Sequence, residues 1–433
     1  MPRFSIFIPA LLLVASTLPA SNLETPSALL NQQLPKWVRF SFDHRFRFEN
    51  YRALRYNEDN NDHWLINRFR VNLTILPKSW WSFNFQGQDA RIFFKGNSAG
   101  AASFINRTDL RLAFTDFGNP VKGRIALRVG RQELAYGEDR VLGAANWGNV
   151  GRTFDAVKLI LRQGPLQLDL FSASVVSIQQ RGISHHIQGN NLHGAYLRWN
   201  EALPGMLIEP YFYWRVGRGR GDVPGGTAHG DRRIAALRVV GKLPANFDYS
   251  TEFLHQTGTL GNTSISASAM HLWARHNFSN QKWKPRWIAE FNYASGDKTP
   301  GDGRSGTFDQ IYPTPHDKTG LADQVGWQNI VHLATGFEVN PWRKLILRTT
   351  AHDWHLAQAR DGVYLVNGTL VFRDVSGQRG KHVGEELDAT ATYSVGPHII
   401  GAGVGHIFPG QFLNHFSKGK GLNYVYLNVG YRF

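Results

Sequence analysis

Hydrophobic and polar residues alternate along almost the whole chain after residue 36, in segments separated by turn-like or loop-like stretches. A two-residue period places apolar and polar side chains on opposite faces of a β-strand. We count about eighteen such segments, most of them 9 to 13 residues long, the length that a tilted strand needs to cross a bilayer. The predicted strands cover 37–49, 64–76, 80–90, 106–116, 123–131, 153–163, 166–176, 192–200, 206–216, 232–242, 247–257, 267–278, 285–296, 328–339, 343–355, 384–396, 398–408 and 423–433.

The last predicted strand, NYVYLNVGYRF (Asn423–Phe433), has the clearest pattern. Val425, Leu427 and Val429 lie on one parity, while Tyr424, Tyr426, Asn428 and Arg432 lie on the other. A final strand of this kind with a terminal aromatic residue is typical of an outer-membrane barrel, in which the last strand closes on the first. The alternative for this segment alone is an ordinary edge strand.

The links between the predicted strands favour a barrel. Links after even-numbered strands are short, as in LPKS and SVGPH, whereas those after odd-numbered strands are longer and rich in Gly. The longer links include 91–105, 131–152, 177–191, 217–231, 297–327 and 356–383. This alternation through all seventeen links predicts short periplasmic turns, long extracellular loops and two periplasmic termini. A soluble β-sandwich also alternates, but one face of these strands is too charged to be buried between two sheets.

The predicted organisation is therefore a monomeric, transmembrane antiparallel β-barrel of about 18 strands at residues 37–433. Residues 1–20 combine Arg3, an apolar run and small residues near Ala20, which predicts a secretory signal peptide. Residues 21–36 form a short polar lead-in, expected in the periplasm. No run reaches the roughly 18 to 20 apolar residues of a spanning helix. The absence of cysteine suits an oxidising compartment.

The formal net charge is +15, and 34 of the 48 basic residues are Arg. Arg facing lipid costs about 2–4 kcal/mol near the midplane, so arginines on polar parities are expected to face the lumen. The expected lumen-lining residues are Arg39, Arg45, Arg47, Arg68, Arg70, Arg198, Arg215, Arg238 and Arg348. Asp43, Glu49 and Glu209 could pair with them and merely solvate the wall. The excess of Arg nevertheless favours an anion-preferring channel.

Four segments in this order resemble the alginate export family of outer-membrane porins. They are GRQELAYGEDRVLGAANWGNVGRTFDAVKL (Gly130–Leu159), TFDQIYPTPHDKTGLADQVGWQNI (Thr307–Ile330), GEELDATATY (Gly384–Tyr393) and GVGHIFPGQF (Gly403–Phe412). The resemblance covers nearly all of the chain after the signal peptide. It implies an eighteen-stranded barrel whose electropositive, Arg-lined pore passes an anionic uronate polysaccharide by diffusion.

The resemblance also implies pore-constricting, substrate-binding positions in and beside the third external loop: Arg131, Glu133, Arg140, Arg152 and Asp155. Arg131 shares the parity of Val129, so a regular strand would direct it at lipid. Either Gly130 or a bulge redirects it, or the strand has already left the membrane at that point. A long loop with three arginines and several glycines is expected to fold back into the lumen. A solvated external loop is the alternative.

One feature departs from the family. Alginate exporters are expected to carry a long periplasmic turn that plugs the pore before the penultimate strand, and here that turn is SVGPH. The gating device is thus absent or replaced. The expected partners are an anionic polysaccharide or a small acidic sugar, the outer membrane with its lipopolysaccharide, and a periplasmic export partner, but no nucleic acid. The basic segment RVGRGRGD is a candidate for contact with lipopolysaccharide or emerging polymer.

No pattern predicts a cofactor, a metal site or a catalytic group. His352 and His355 are three apart, so they face opposite sides of a strand and form a poor metal pair. The adjacent Glu385 and Glu386 also point apart, which argues against a glycosidase pair. The rival to a channel is a barrel enzyme with a Ser–His pair at its external rim. Arginines converging in the lumen would favour the channel, and a Ser–His–acid triplet at the rim would favour the enzyme.

Overall fold

The computed structural model describes residues 25–96, 104–218 and 228–433, which form a closed β-barrel. The predicted signal peptide, residues 1–20, lies outside the described residues, and so do positions 219–222 of the segment RVGRGRGD.

Part of the predicted lead-in is an α-helix, α1 (Pro26–Gln33). Thr25 caps it by accepting a hydrogen bond from the Ala28 amide at 3.3 Å, and Pro26 suits a first helical position because its missing N–H would have no partner there. The side chain of Asn31 bonds both the amide and the carbonyl of Phe40, at 2.8 and 2.7 Å. These two bonds attach the helix to the first barrel strand.

Eighteen strands of the described chain make up the barrel. They are β1 (Val38–Arg52), β2 (Asp62–Lys78), β3 (Trp81–Phe93), β4 (Asn106–Phe117), β5 (Ile125–Gln132), β6 (Phe154–Gln163), β7 (Leu166–Ser177), β8 (His185–Leu203), β9 (Met206–Arg218), β10 (His229–Leu243), β11 (Phe247–Leu260), β12 (Thr263–Asn277), β13 (Arg286–Ala294), β14 (Ile330–Trp342), β15 (Leu345–Leu356), β16 (His382–Val395), β17 (His398–Pro409) and β18 (Leu422–Arg432). The links contain a 3₁₀ turn (Leu54–Tyr56), the helix α2 (Gln411–Ser417) and short strands at Arg304–Ser305, Gly362–Tyr364 and Leu370–Arg373.

Each barrel strand pairs antiparallel with its neighbours in sequence, and β18 pairs with β1. At the closure, Phe48 lies opposite Leu427, and the Phe42 amide donates to the carbonyl of Phe433 at 2.5 Å. Closure leaves no sheet edge unpaired, as a barrel in lipid requires. The predicted fold is confirmed, and each of the eighteen predicted segments overlaps one barrel strand.

The two faces of the wall differ as the alternation predicts. On β11, Phe253 is 51% exposed on the outer face, while the neighbouring Glu252 is 3% exposed on the inner face. On β18, Leu427 is exposed outside and Tyr426 is buried inside. The outer face is therefore a continuous apolar band, and the inner face is polar. Within the described residues, no helix has the length and hydropathy to span a membrane.

Short links gather at one end of the barrel, the short-turn end, where Trp80, Trp283 and Trp342 are exposed. Most longer links gather at the other, the long-loop end.

One link contradicts the predicted alternation. β11 and β12 continue to Leu260 and Thr263, so only a two-residue turn joins them, with Gly261 at a φ of 58°. The predicted loop there is strand because the pairing of β11 with β12 continues to Leu260 and Thr263.

Two long links fold into the barrel interior. We call residues 133–153 loop A and residues 295–329 loop B; residues 357–381, between β15 and β16, are loop C. Loops A and B join through a parallel bridge between Leu142 and Tyr312, supported by hydrogen bonds of 2.8 Å (Gly143 to Tyr312) and 3.0 Å (Tyr312 to Val141). Their apolar side chains and the inner wall form the buried core. Burial of one such side chain stabilises the fold by about 1.5–3 kcal/mol.

Candidate functional site

Loop A crosses the interior and meets the wall formed by β1, β2 and β4. Five arginines of that wall donate hydrogen bonds to residues 133–150 of the loop, and we call Arg45, Arg47, Arg68, Arg70 and Arg111 the arginine cluster. Arg45 donates to the carbonyls of Asn146 and Gly148, at 3.0 and 2.9 Å. The carbonyl of Val150 accepts from Arg70 at 3.0 Å and from Arg111 at 3.1 Å. The cluster thus determines where the loop lies.

Positive charge exceeds negative charge at this cluster. Three carboxylates pair with it: Asp43 with Arg68, Glu49 with Arg47, and Glu133 with Arg111. Arg45 and Arg70 donate to carbonyl and amide oxygens, and no carboxylate of the described residues lies within salt-bridge distance of either. Five guanidinium groups therefore face three carboxylates, which leaves a local excess of two positive charges.

Glu133 in loop A is held in its ionised form. Burial alone would raise its pKa, but the charge of Arg111 and hydrogen bonds from Arg111 and Asn146 lower that pKa below the usual value. The Asn146 amide bridges Glu133, at 2.8 Å, to the guanidinium of Arg70, at 3.1 Å. The loop and the arginine wall consequently form one hydrogen-bonded unit.

Trp147 at the tip of loop A is stacked between two side chains. The Arg47 guanidinium lies 3.8 Å from its ring centroid, and the ring of His316 from loop B lies 3.7 Å away, tilted by only 3°. Tyr426 of β18 meets the indole edge-on at 5.1 Å. Cation–π and aromatic contacts of these kinds fix the tip against the wall.

Two cavities lie on opposite sides of this tip. A cavity of about 580 Å³ opens toward the short-turn end, lined by Asp43, Arg68, Arg70 and Asn146 among others. A smaller one of about 280 Å³ lies toward the long-loop end, and its lining residues include Arg47, Tyr51, Trp64, Phe104 and Trp147. On the inner face of β1, Arg45 lies between Asp43 and Arg47. Between the two cavities Arg45 contacts Asn146 and Gly148 of loop A, and we call this place the narrow point.

The opposite wall is occupied by ion pairs that hold loop A from the other side. Glu138 of the loop accepts from Arg238 at 3.0 Å, from the Trp273 indole at 2.9 Å, and lies 3.1 Å from His271. Burial alone would raise the pKa of Glu138, but His271, Arg140 and Arg238 hold it well below its usual value. This carboxylate is thus ionised and occupied by protein donors.

A chain of buried polar side chains continues from Glu138 along that wall. His271 lies 2.6 Å from Asn292, Asn292 lies 2.7 Å from His332, and His332 lies 2.9 Å from His352. His352 in turn lies 3.1 Å from Asp388. The histidines are at most 5% exposed, so these groups bond one another and are closed to solutes. The two cavities beside the tip of loop A, in contrast, are lined by residues of the arginine cluster.

Three of the predicted constriction residues lie on loop A. Glu133 bonds Arg111, and Arg140 pairs with Glu290 of β13 at 2.6 Å. Arg152 donates to the carbonyl of Gly143 at 3.1 Å and to that of Pro313 in loop B at 2.8 Å. The loop does fold into the barrel, as the sequence indicated, but Arg140 attaches it to the wall at β13 and Arg152 attaches it to loop B.

Arg131 and Asp155 are a correction to the predicted constriction. They are cross-strand partners with two hydrogen bonds of 2.8 and 3.0 Å, and the register through Gly130 is regular. Asp155 shares its parity with the outward-facing Val157, so the pair lies on the outer face at the long-loop end. Gly130 adopts a φ of 120° but inserts no residue, and therefore does not redirect Arg131 into the lumen.

The nine arginines expected to line the lumen lie on the inner face but do not form one group. Four belong to the arginine cluster: Arg45, Arg47, Arg68 and Arg70. Arg198 and Arg238 pair with Glu209, Arg215 donates to the Tyr312 hydroxyl, and Arg348 lies 3.5 Å from Asp317. Arg39 bonds main-chain carbonyls beside α1. That these nine arginines contact a passing solute remains a prediction.

Sequence patterns missed other groups at the site. Arg111 lies where the β3–β4 register shifts between Gln86 and Gly87, so strand parity misplaces it. Asn146, Trp147 and Glu138 lie in irregular loop structure, where no period applies. His332 and His352 lie on the inward-facing parity of their strands, so strand parity could have predicted that both point into the barrel.

The chain was compared with known protein families and structures. The family model described as "Alginate export" matches residues 36–425. A search of curated proteins found no match.

Solved outer-membrane barrels share the fold. Pseudomonas aeruginosa OccK8 (OprE) has a TM-score of 0.62 at 10% identity, covering 92% of this chain and 98% of its own. Pseudomonas aeruginosa OccK3 (OpdO) has a TM-score of 0.62 at 11% identity, and the match covers 93% of this chain and 97% of its own. Acinetobacter baumannii OccAB2 has a TM-score of 0.59 at 11% identity, and the match covers 91% of this chain and 98% of its own.

Proposed function

The chain belongs to the alginate export family and is a channel of the Gram-negative outer membrane, and from this premise we propose that it passes acidic saccharides along the arginine cluster. The observation that carries the proposal is the excess of two positive charges in the arginine cluster, whose members line both cavities. A positive field at a constriction attracts anions and excludes cations. The channel should therefore prefer anions, and carboxylated ones above all.

Arg45 is the residue proposed to meet the solute. Its two terminal nitrogens donate to the neutral carbonyls of Asn146 and Gly148. Within the described part of the chain, its Nε has no hydrogen-bond acceptor. A carboxylate adds an opposite charge and can accept two parallel bonds from one guanidinium, so it binds Arg more strongly than a neutral carbonyl does. A passing carboxylate can thus compete for Arg45, and the carbonyls recover the donors when it leaves. Such exchange keeps the site weak enough for transport.

The aromatic lining of the smaller cavity favours saccharides over simple anions. Tyr51 stacks on Trp64 with a centroid distance of 5.3 Å, and Trp147 and Phe104 line the same space. Flat aromatic rings offer apolar faces to the C–H side of a sugar ring, while the adjacent Arg47 lies next to its charged groups. The aromatic faces would select for a sugar ring and Arg47 for a negative charge, so only the two together distinguish a uronate from another anion.

A second candidate within the same class is uptake of small acidic sugars rather than release of a polymer. Loops A and B both cross the interior, and the turn before β17 comprises only Gly396 and Pro397 between the strand ends. A long plugging turn, which could open for a polymer, is not formed there. This geometry favours short oligomers or monomers.

We further propose that the barrel is not an enzyme. Ser268 and His255 lie 3.1 Å apart on exposed, paired positions of β11 and β12, which is the kind of contact that a catalytic pair needs. No carboxylate of the described chain bonds His255, so a third group that would orient the imidazole is missing from that pair. The arginines converge in the lumen instead.

The test is single-channel conductance of the purified full chain with uronate oligomers of defined length added. We expect anion preference and block by the oligomers at millimolar levels. Arg45→Ala should lower both the anion preference and the block. Arg131→Ala and Arg233→Ala, which remove the same charge from outward positions, should change neither. Cation preference of the unmodified protein would refute the proposal. Block by monomers only would favour the uptake alternative.

A further inference from the structure

Four potential metal ligands meet on the outer face at the long-loop end. Three of them, Asp353 and His355 of β15 and His382 of β16, have ligand atoms within 4.8 Å of one another. The fourth, Glu385 of β16, lies beside His382. All four are partly exposed, with side-chain exposures between 31% and 52%. The group lies outside the lumen, and none of its members takes part in the arginine cluster or the histidine chain.

The potential ligand atoms are close to one another. His382 Nε2 lies 3.2 Å from Asp353 Oδ1 and 3.4 Å from Glu385 Oε1, and His355 Nδ1 lies 3.5 Å from Asp353 Oδ1. Ligands about 2.1 Å from a tetrahedral zinc ion are separated by about 3.4 Å. These three separations match that spacing, and the ligand atoms of Asp353, His355 and His382 all lie within 4.8 Å of one another.

A β-bulge brings the four side chains to one face. His382 and Glu385 are three residues apart, so a regular strand would direct them to opposite faces. The pairing shifts from Trp354–Gly384 to His355–His382, and the extra residue, Val383, is buried inside. Bulges redirect side chains in this way and are frequent beside functional sites.

Gly384 makes the bulge possible. Its φ is 150°, and a Cβ there would lie 2.3 Å from the carbonyl oxygen of Phe408. Other residues would therefore strain both the backbone and the contact with β17. The bulge therefore requires glycine at position 384, and it places the side chains of His382 and Glu385 on the same face of the strand.

We propose that Asp353, His355, His382 and Glu385 bind one divalent transition-metal ion, with Zn²⁺ as the best match. Imidazole nitrogens combined with carboxylate oxygens suit zinc and copper, whereas Ca²⁺ and Mg²⁺ require oxygen ligands. The strand pairing already orients both histidines, so the ion would find a largely formed site.

The site would fasten the base of loop C. His355 and His382 lie just before and just after that loop, and the Leu356 amide donates to the Lys381 carbonyl at 2.8 Å. The loop reaches loop B through Asp361, which accepts bonds from the Asp297 amide at 2.8 Å and the Thr307 hydroxyl at 2.5 Å. A metal ion at the base would therefore stabilise loop C and its contact with loop B.

The first measurement is calorimetric titration of the tag-free full chain in detergent with Zn²⁺ at pH 7.5. We expect one ion per chain and no comparable binding of Ca²⁺. The double variant H355A/H382A should bind at least about tenfold more weakly. His193→Ala, which removes an outward histidine from β8, is the matched control and should bind normally.

The second measurement separates ligation from a general effect on folding. Zn²⁺ should slow proteolysis of loop C in the unmodified protein and in His193→Ala, but not in Glu385→Gln or the double variant. Circular dichroism checks that each variant keeps its strand content. Undiminished zinc binding by the folded double variant would refute the site. So would the same protection of loop C in all variants, since the ion would then act elsewhere.

Discussion

Trp147 is the side chain on which the narrow point most depends. It lies at the tip of loop A, between the guanidinium of Arg47 and the imidazole of His316, with Tyr426 at its edge. Each of these contacts is modest, but all of them are lost together when the indole is removed. The two cavities that its loop separates would then join.

Trp147→Ala should therefore widen the passage. Loss of the cation–π and stacking contacts is expected to weaken docking of the loop tip by about 2–3 kcal/mol. The variant should show a larger single-channel conductance and weaker anion preference, with the barrel still folded. Trp342→Ala, at the short-turn end, removes an exposed indole and is the control. An unchanged conductance of Trp147→Ala would show that the narrow point lies elsewhere.

Strand parity predicts side-chain placement well where the pairing is regular. Arg47, Arg68 and Arg70 face inward as the alternation indicates. Arg131 also obeys its parity, because the register through Gly130 is regular, and it lies near the long-loop end of its strand. Arg111 and His382 depend on bulges, and a bulge depends on contacts with a neighbouring strand, which one segment of sequence does not contain.

Loop A is the element that connects two walls of the barrel across its interior. It is held at residues 146–150 by the arginine cluster and at Glu138 by Arg238, His271 and Trp273. Sequence patterns predicted that a loop here would enter the lumen, because it is long and carries arginines and glycines. They could not predict the partnership with loop B, since the bridge between Leu142 and Tyr312 joins segments far apart in the chain.

Acid should release loop A from its anchor at Glu138. Because the pKa of Glu138 is lowered in the folded protein, its contribution to docking is complete above the usual glutamate pKa, about 4.3. The contribution falls as the pH drops below that value toward the lowered pKa. Channel current should thus stay constant from about pH 7 to about pH 5 and become larger and noisier in stronger acid.

Glu138→Gln tests the same anchor at neutral pH. The substitution removes the charge that Arg238 and His271 face, so the variant should show the noisy current already at pH 7. Glu58→Gln is the control, because Glu58 forms only an exposed ion pair with Lys420. If the unmodified channel responded to acid but Glu138→Gln matched it at every pH, another carboxylate would be responsible.

The whole molecule combines an apolar outer band, a closed ring of strands and an asymmetric interior. The arginine cluster occupies the wall of β1, β2 and β4, and the histidine chain with its carboxylates occupies the wall from β12 to β16. The eighteen-stranded ring was predictable because alternation repeats in every strand. The asymmetry was not, because it arises from which wall each inserted loop contacts.

Selectivity that arises from a local charge excess must depend on ionic strength. The Debye length is about 10 Å at 0.1 M salt and about 3 Å at 1 M, so concentrated salt screens Arg45 and Arg70 from ions crossing the narrow point. The ratio of anion to cation permeability, measured from reversal potentials, should fall toward one between these concentrations. At 0.1 M salt, Arg70→Ala should have a lower permeability ratio than the unmodified protein. At 1 M salt, the two proteins should have nearly the same ratio. A ratio that stays constant with salt would indicate selection by size or by specific ligation, and the field of the arginine cluster would then not be its cause.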